Sequence, residues 1–205
     1  MNLDQSIDRA NKYSQRIRAN YFGPLLLLLD RLNITPNILS LLRVLAGLTF
    51  FLLIKQFFYL ALIVLIFGLL TDIIDGPLAR YQKTASDRGK FIDIFSDGLI
   101  FCFFLLGLIR ISFFSQSILA YTLFIISSLY LLVAINKNEK LPSDWLISPV
   151  ARVSYYKLAI EILFIIKLLS NLPATYLDNY LLLINIIATI HVGRHYWSFI
   201  FKSQA

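Results

Sequence analysis

The chain has 205 residues, of which 58 % are hydrophobic and 15 % charged, with a mean hydropathy of +0.72; a soluble domain of this length would not carry so little polar surface. The net charge is +7, but no basic stripe with interleaved stacking aromatics accompanies it, so the charge suits an anionic membrane surface and phosphorylated ligands, not nucleic acid. The single cysteine, Cys102, stands in an apolar run and excludes both a disulfide framework and a thiolate metal site.

The first twenty residues are polar and lack the apolar run of a cleaved signal. Residues 1–22 mix Arg9, Lys12, Arg16 and Arg18 with Ile7, Tyr13, Ile17 and Phe22, which predicts an amphipathic helix lying on the membrane surface. Gly23-Pro24 is expected to interrupt it, and the LLLLLDRLN run beyond is too short to span. Thr35-Pro36-Asn37 is a helix start, with Thr35 as cap and Pro36 at the first helical position. Six spans are expected from there, over 35–52, 57–80, 88–109, 113–135, 149–169 and 180–201, with NKNEKLPSDW a polar loop and SNLPATYLDN a turn. The expected fold is therefore an all-α integral membrane protein: a juxtamembrane segment, 1–34, and one six-helix transmembrane domain, 35–205. Basic residues concentrate in the N-terminal segment, the 80–90 turn, the 136–152 loop and the C-terminus, so the positive-inside rule puts both termini and that turn on the cytoplasmic side of the cytoplasmic membrane.

Between the second and third spans lies DIIDGPLARYQKTASDRGKFIDIFSD, residues 72–97. Asp72, Asp75, Asp93 and Asp97 stand against the apolar runs, and a carboxylate beside hydrocarbon costs about 3 kcal/mol even on lenient scales, so something positive must neutralise them. Helical residues three or four apart share a face; Asp72, Asp75, Gly76 and Ala79 make one stripe and Gly89, Asp93 and Asp97 another, which a hairpin turns toward each other. Hard oxygen ligands without His or Cys nearby favour Mg²⁺ or Mn²⁺, and two such ions suit displacement at phosphorus. The competing structural reading is an Asp–Arg network closing the hairpin through Arg80 and Arg88. Arg43, almost two turns into an apolar helix, should face an aqueous cavity or a carboxylate.

Written as a pattern, the stretch is D-x₂-D-G-x₂-A-R-x₈-G-x₃-D-x₃-D with every fixed position filled. It resembles the signature of the CDP-alcohol phosphatidyltransferases, integral membrane enzymes of phospholipid synthesis that are often dimeric. The resemblance implies that Asp72, Asp75 and Asp93 are metal ligands, that Asp97 contributes to a second ion, and that Asp97 is also the general base. It implies a cytidine pocket lined by Gly76, Ala79 and Gly89, with Ser86 as a small polar contact; the alternative for the small residues is close helix packing. Arg80 can fork two hydrogen bonds onto a diphosphate, or snorkel at a helix end. Thr35-Pro36-Asn37-Ile38, continuing Leu39-Ser40-x-x-Arg43, is similar to the family's lead-in to the first span and by resemblance touches the CDP-lipid.

The implied reaction moves the phosphatidyl group of CDP-diacylglycerol, or an archaeal CDP-lipid, to a small phosphorylated or polyol acceptor. Cations for that acceptor are sought in Arg152, Lys157 and Arg194, with Ser148 beside them, although each alone is equally a snorkelling interfacial residue. Members acting on glycerol phosphate usually carry Lys or Arg after the last aspartate and a Lys/Thr-rich opening of the fifth span; here Gly98 and ARVSYYK stand in those places, and the acceptor stays open between glycerol 3-phosphate, inositol phosphate and others. His191 and His195 share a face but lack a third ligand. The runner-up within the family uses CDP-choline or CDP-ethanolamine with diacylglycerol. From a different class, a small cation or proton transporter would scatter its carboxylates over several spans at mid-depth, and an inactive scaffold would keep only the fold.

Overall fold

The computed structural model describes residues 22–139, 149–170 and 172–202, with side chains described outside 134–139, 149–152 and 198–202. The amphipathic helix expected over 1–22 lies almost wholly outside the described residues. Among those described, every regular element is a helix: α1 over 22–31, α2 Pro36–Leu53, α3 Phe58–Tyr81, α4 Asp87–Arg110, α5 Gln116–Glu139, α6 Pro149–Leu169 and α7 Ala174–Lys202. Gly23 and Pro24, expected to interrupt the helix over 1–22, lie in the first turn of α1, and the residues before 22 are outside the described ones.

Among the described residues, five helices are long and apolar enough to cross a membrane: α2, α3, α4, Gln116–Val133 of α5 and Ala174–Trp197 of α7. A sixth crossing does not follow from length and composition, because α6 carries Arg152, Lys157, Glu161 and Lys167 within 21 residues. The outward faces of the apolar helices remain greasy; Ile63, Phe67 and Leu70 on α3 are exposed. A surface of that kind is matched to hydrocarbon, not to water.

The chain divides into two units, Met1–Phe104 and Leu105–Ala205. In the first, three- and four-residue spacing gives each helix one packing stripe. That stripe on α2 is Leu39, Arg43, Ala46, Gly47 and Phe50. On α3 it runs through Ala61, Leu65, Gly68, Thr71, Asp75 and Leu78, so Asp75 lies on the very face that packs inward. The helices approach closely where side chains vanish. A Cβ added to Gly68 would come within 2.7 Å of the Ala46 Cβ, and one added to Gly47 within 3.0 Å of the Ile100 backbone. Small residues allow this in lipid, where packing rather than water exclusion drives helix association. Phe50 then packs against Phe104 with ring centroids 5.9 Å apart and the rings tilted by 37°.

Three helices stop in the same way. Asn33, Lys83 and Ser112 adopt positive φ of 55°, 55° and 51°, each followed by a backbone bond closing five residues back: Ile34 to Leu29, Thr84 to Ala79 and Phe113 to Leu108. These are Schellman ends, built here without glycine.

In the second unit, α5, α6 and α7 meet at Asn185, which is fully buried. Its Nδ2 donates to Thr122 Oγ1 (3.0 Å) and to the Ile118 carbonyl (3.3 Å), and its Oδ1 accepts from the Tyr156 hydroxyl (2.6 Å). At the other end of these helices, Asp178 accepts from the Ser115 N–H (3.2 Å) and lies 4.0 Å from Lys167, whose Nζ stands 4.3 Å from the centre of the Phe114 ring. That clasp holds Asp178 inside α7, which starts at Ala174, six residues before the expected Tyr180.

Gly47→Ala and Gly68→Ala should each force the α2 contacts apart and cost about 1–3 kcal/mol, as overpacking does. The melting midpoint in detergent should fall for both, whereas Gly193→Ala, with nothing within 4 Å of the added carbon, should leave it unchanged or raise it.

Candidate active site

The site is assembled in the first unit from the start of α2, the end of α3, the turn after it and the start of α4. Its deepest element is Arg43, whose side chain is 0 % exposed. Nη2 lies 2.9 Å from Asp72 Oδ1 and also contacts Asp75 Oδ2, while Nη1 donates to Asp93 Oδ1 at 2.8 Å. The arginine in the carboxylate network is thus Arg43 from α2, not the Arg80 and Arg88 of the hairpin itself. Arg43 Nε is also buried and has no hydrogen-bond partner among the described residues.

Asp72, Asp75 and Asp93 each bring one oxygen to within 4.8 Å of the others. Asp75 forms the floor, its side chain 7 % exposed; Asp72 and Asp93 form the rim at 50 % and 44 %. Within this group the negative charges outnumber the guanidinium by two. All donors are hard oxygens, so the residues present fit a divalent ion of the Mg²⁺ or Mn²⁺ type. Asp97, one helical turn beyond Asp93, stands outside this three-carboxylate group.

A cleft of about 300 Å³ takes in two of the three carboxylates, Asp75 and Asp93. From α2 come Thr35, Pro36, Asn37 and Ser40; from α3, Asp75, Gly76, Ala79 and Arg80; from the turn and α4, Thr84, Ala85, Ser86, Gly89, Lys90 and Asp93. Every residue proposed from sequence for the nucleotide lines it except Ile38. The Ile38 side chain is exposed, and its N–H is taken by Thr35 Oγ1 at 3.4 Å in the predicted cap. Ser86 has a local role that sequence reasoning missed: its Oγ accepts from the Gly89 N–H at 3.1 Å, one residue before α4 begins. The sequence Ser86-Asp87, an N-cap residue followed by an acid, carried that signal.

Two helix N-termini, those of α2 and α4, therefore open onto one cleft whose edge also carries Arg80 and Lys90. Positive dipole ends and cations above a carboxylate floor favour a ligand that is anionic and can share a metal with that floor. The glycines at this end are not packing devices. A Cβ on Gly76 would meet only the Arg80 guanidinium, at 3.7 Å, and one on Gly89 only Ser86 Oγ, at 3.3 Å. Close helix packing falls instead to Gly47 and Gly68. Thr84, Ala85 and Lys90 are single residues that no spacing pattern picks out, whereas Ser40 belongs to the lead-in motif without a contact of its own assigned to it.

The α2 edge of the cleft is pinned by Gln82. Its Nε2 donates to Asp30 Oδ1 and to the Ile34 carbonyl, both at 3.0 Å, tying the α1–α2 connection to the end of α3. Leu26, Leu39 and Leu78 form a small core beneath that connection.

The acceptor candidates are distributed differently. Lys157 and Arg194 belong to α6 and α7 of the second unit, Ser148 lies outside the described residues, and so does the side chain of Arg152. His191 and His195 line a separate cavity of about 290 Å³ with Tyr155, Tyr156 and apolar residues of α5–α7.

Residues 33–191 match the family model described as CDP-alcohol phosphatidyltransferase. A protein of Aquifex aeolicus (strain VF5) described as uncharacterized is 37 % identical over 87 residues, which are 40 % of this chain and 41 % of that relative. The aligned part of the chain thus spans about two fifths of that curated relative's length.

Replacing Gln82 by Leu removes two hydrogen bonds worth about 1 kcal/mol each. Hydrogen exchange over 33–38 should then accelerate about thirtyfold while exchange in the α2 interior stays unchanged.

Proposed function

Since the chain belongs to the CDP-alcohol phosphatidyltransferase family, we propose that it transfers the phosphatidyl group of CDP-diacylglycerol, or of an archaeal CDP-lipid, to a small hydroxyl acceptor and releases CMP. The observation that carries this reading is the cleft itself: Asp75 and Asp93 of the three converging carboxylates in its lining, two helix N-termini and two cations around it, and no side chain at Gly76 and Gly89 where a flat base must enter.

In the proposed reaction the acceptor oxygen attacks the phosphorus bearing the lipid, a new P–O bond forms, and the bond to the CMP oxygen breaks. Arg80, with Lys90 beside it, orients the diphosphate by charge-assisted hydrogen bonds. Thr35, Pro36 and Asn37 bound the nucleotide on the α2 side, while Gly76, Ala79, Ser86 and Gly89 leave room for the cytidine. Asp72, Asp75 and Asp93 would hold Mg²⁺ or Mn²⁺; bound there, such an ion offsets charge on the diphosphate and on the departing CMP. One group cannot be a fully engaged ligand and a free base. Its position outside the three-carboxylate group favours Asp97 as the acceptor of the hydroxyl proton.

The acceptor is proposed to be phosphorylated or a polyol, bound with help from Ser148, Arg152, Lys157 and Arg194. We place the protein in the cytoplasmic membrane with the site and both termini facing the cytoplasm. We also take α6 as a sixth span: its 21 residues extend roughly 31 Å, about the thickness of the hydrocarbon core.

Purified protein given CDP-diacylglycerol should release CMP with Mg²⁺ or Mn²⁺ and one of glycerol 3-phosphate, inositol phosphate, inositol or serine, and EDTA should stop it. Asp75→Asn and Asp93→Asn should lower turnover by at least about a hundredfold while the protein stays folded. Near-wild-type turnover in either variant would remove the mechanism. CMP formed only from CDP-choline or CDP-ethanolamine with diacylglycerol would reverse the roles of donor and acceptor.

A further inference from the structure

We infer that Arg43 is a positioning residue for the divalent cation: its guanidinium keeps Asp72, Asp75 and Asp93 converged while the metal is absent, and competes with the metal for their oxygens. The inference deepens the metal-dependent reading above and rests on it.

Arg43 is fully buried in an otherwise apolar stretch of α2, and it reaches carboxylates of two other helices through Nη1 and Nη2. Yet Nε, equally buried, has no acceptor. Buried guanidinium donors are ordinarily satisfied, so a cavity formed to house an arginine for its own sake would also offer Nε a partner. The place is shaped by the carboxylates. Those carboxylates carry two negative charges more than the guanidinium supplies, the surplus that one divalent ion removes.

Without any cation, three carboxylate oxygens within 4.8 Å of one another repel, most strongly at Asp75, the one buried among them. Arg43 relieves that repulsion from a fixed helix position, and so makes the metal-free fold tenable. The same contacts must then be surrendered, in part, when an ion takes up those lone pairs. Stabilising the metal-free state weakens metal binding by the same factor, because affinity is the difference between the two states. Arg43 thereby trades metal affinity for a site that stays assembled between loadings.

The test is direct Mn²⁺ binding by electron paramagnetic resonance on the full chain in detergent, alongside melting with and without Mn²⁺. Arg43→Met should bind Mn²⁺ about tenfold or more tightly than wild type, because a repelling charge is gone. Its metal-free melting point should fall, and Mn²⁺ should raise it by more than in wild type. Arg43→Lys keeps the charge but cannot fork to three carboxylates, so its affinity should lie between the two. Equal or weaker binding in both variants would overturn the inference and leave Arg43 a structural ion-pair partner. Asp75→Asn separates the two failures: if it binds Mn²⁺ as wild type does, the metal site itself is wrong, whereas loss of binding there keeps the site and judges Arg43 alone.

Discussion

A guanidinium held among three carboxylates at the end of an apolar helix hairpin is the constraint around which the first unit is arranged. Arg43, wholly buried, could not reside there without its carboxylates; leaving such a buried charge unpaired typically costs about 3–5 kcal/mol. The requirement propagates outward. Arg43 must point at α3 and α4, so α2 must lie against both, and the residues one to two turns along its stripe, Ala46, Gly47 and Phe50, are sized to let it. The charge cluster and the tight apolar contact above it are two parts of one packing solution.

Above that cluster the electrostatics reverse sign within a single cleft. Asp75 and Asp93 in its lining want a cation, whereas the starts of α2 and α4, with Arg80 and Lys90, want an anion. A neutral or purely cationic ligand satisfies only one half. A phosphate ester that brings its own metal satisfies both, which is why the geometry agrees with the family's donor class and sits poorly with a simple ion pathway. The turn between α3 and α4 contributes through its backbone: Lys83 at positive φ ends α3 abruptly enough for Thr84, Ala85 and Ser86 to face the cleft.

Much of this was legible in the chain. The boundaries of α2, α3 and α4 fall within a residue of expectation, because hydropathy and the Thr35-Pro36 cap act locally and agree. Arg43 had to meet carboxylate or water, and it meets carboxylate. What spacing could not give was depth: Asp75 and Asp72 share a stripe, yet only contact with α2 decides that Asp75 is the buried one. Nor could it show that Asp97 lies outside the group, since residues four apart share a face but differ by about 6 Å along the axis. The end of α5 was misjudged because Asn136 to Glu139 look like loop by polarity, although Lys and Glu are good helix formers. The start of α7 was misjudged because Asp178 is kept in its helix by Ser115 and Lys167, partners remote in sequence.

Asn185 has a consequence for biogenesis. α7 is the least apolar of the five candidate spans, at 1.2 against 2.2 for α3, and it carries a carboxamide that is wholly enclosed in the assembled unit. Facing lipid, that amide would lack the partners it finds in Thr122, Tyr156 and the Ile118 carbonyl. α7 therefore depends on α5 and α6, which precede it in the chain, for the partners of its buried amide, and docking supplements a modest hydropathy in holding it. The same hydrogen bonds admit one register of α7 against α5 and α6, so that docking also selects the final packing.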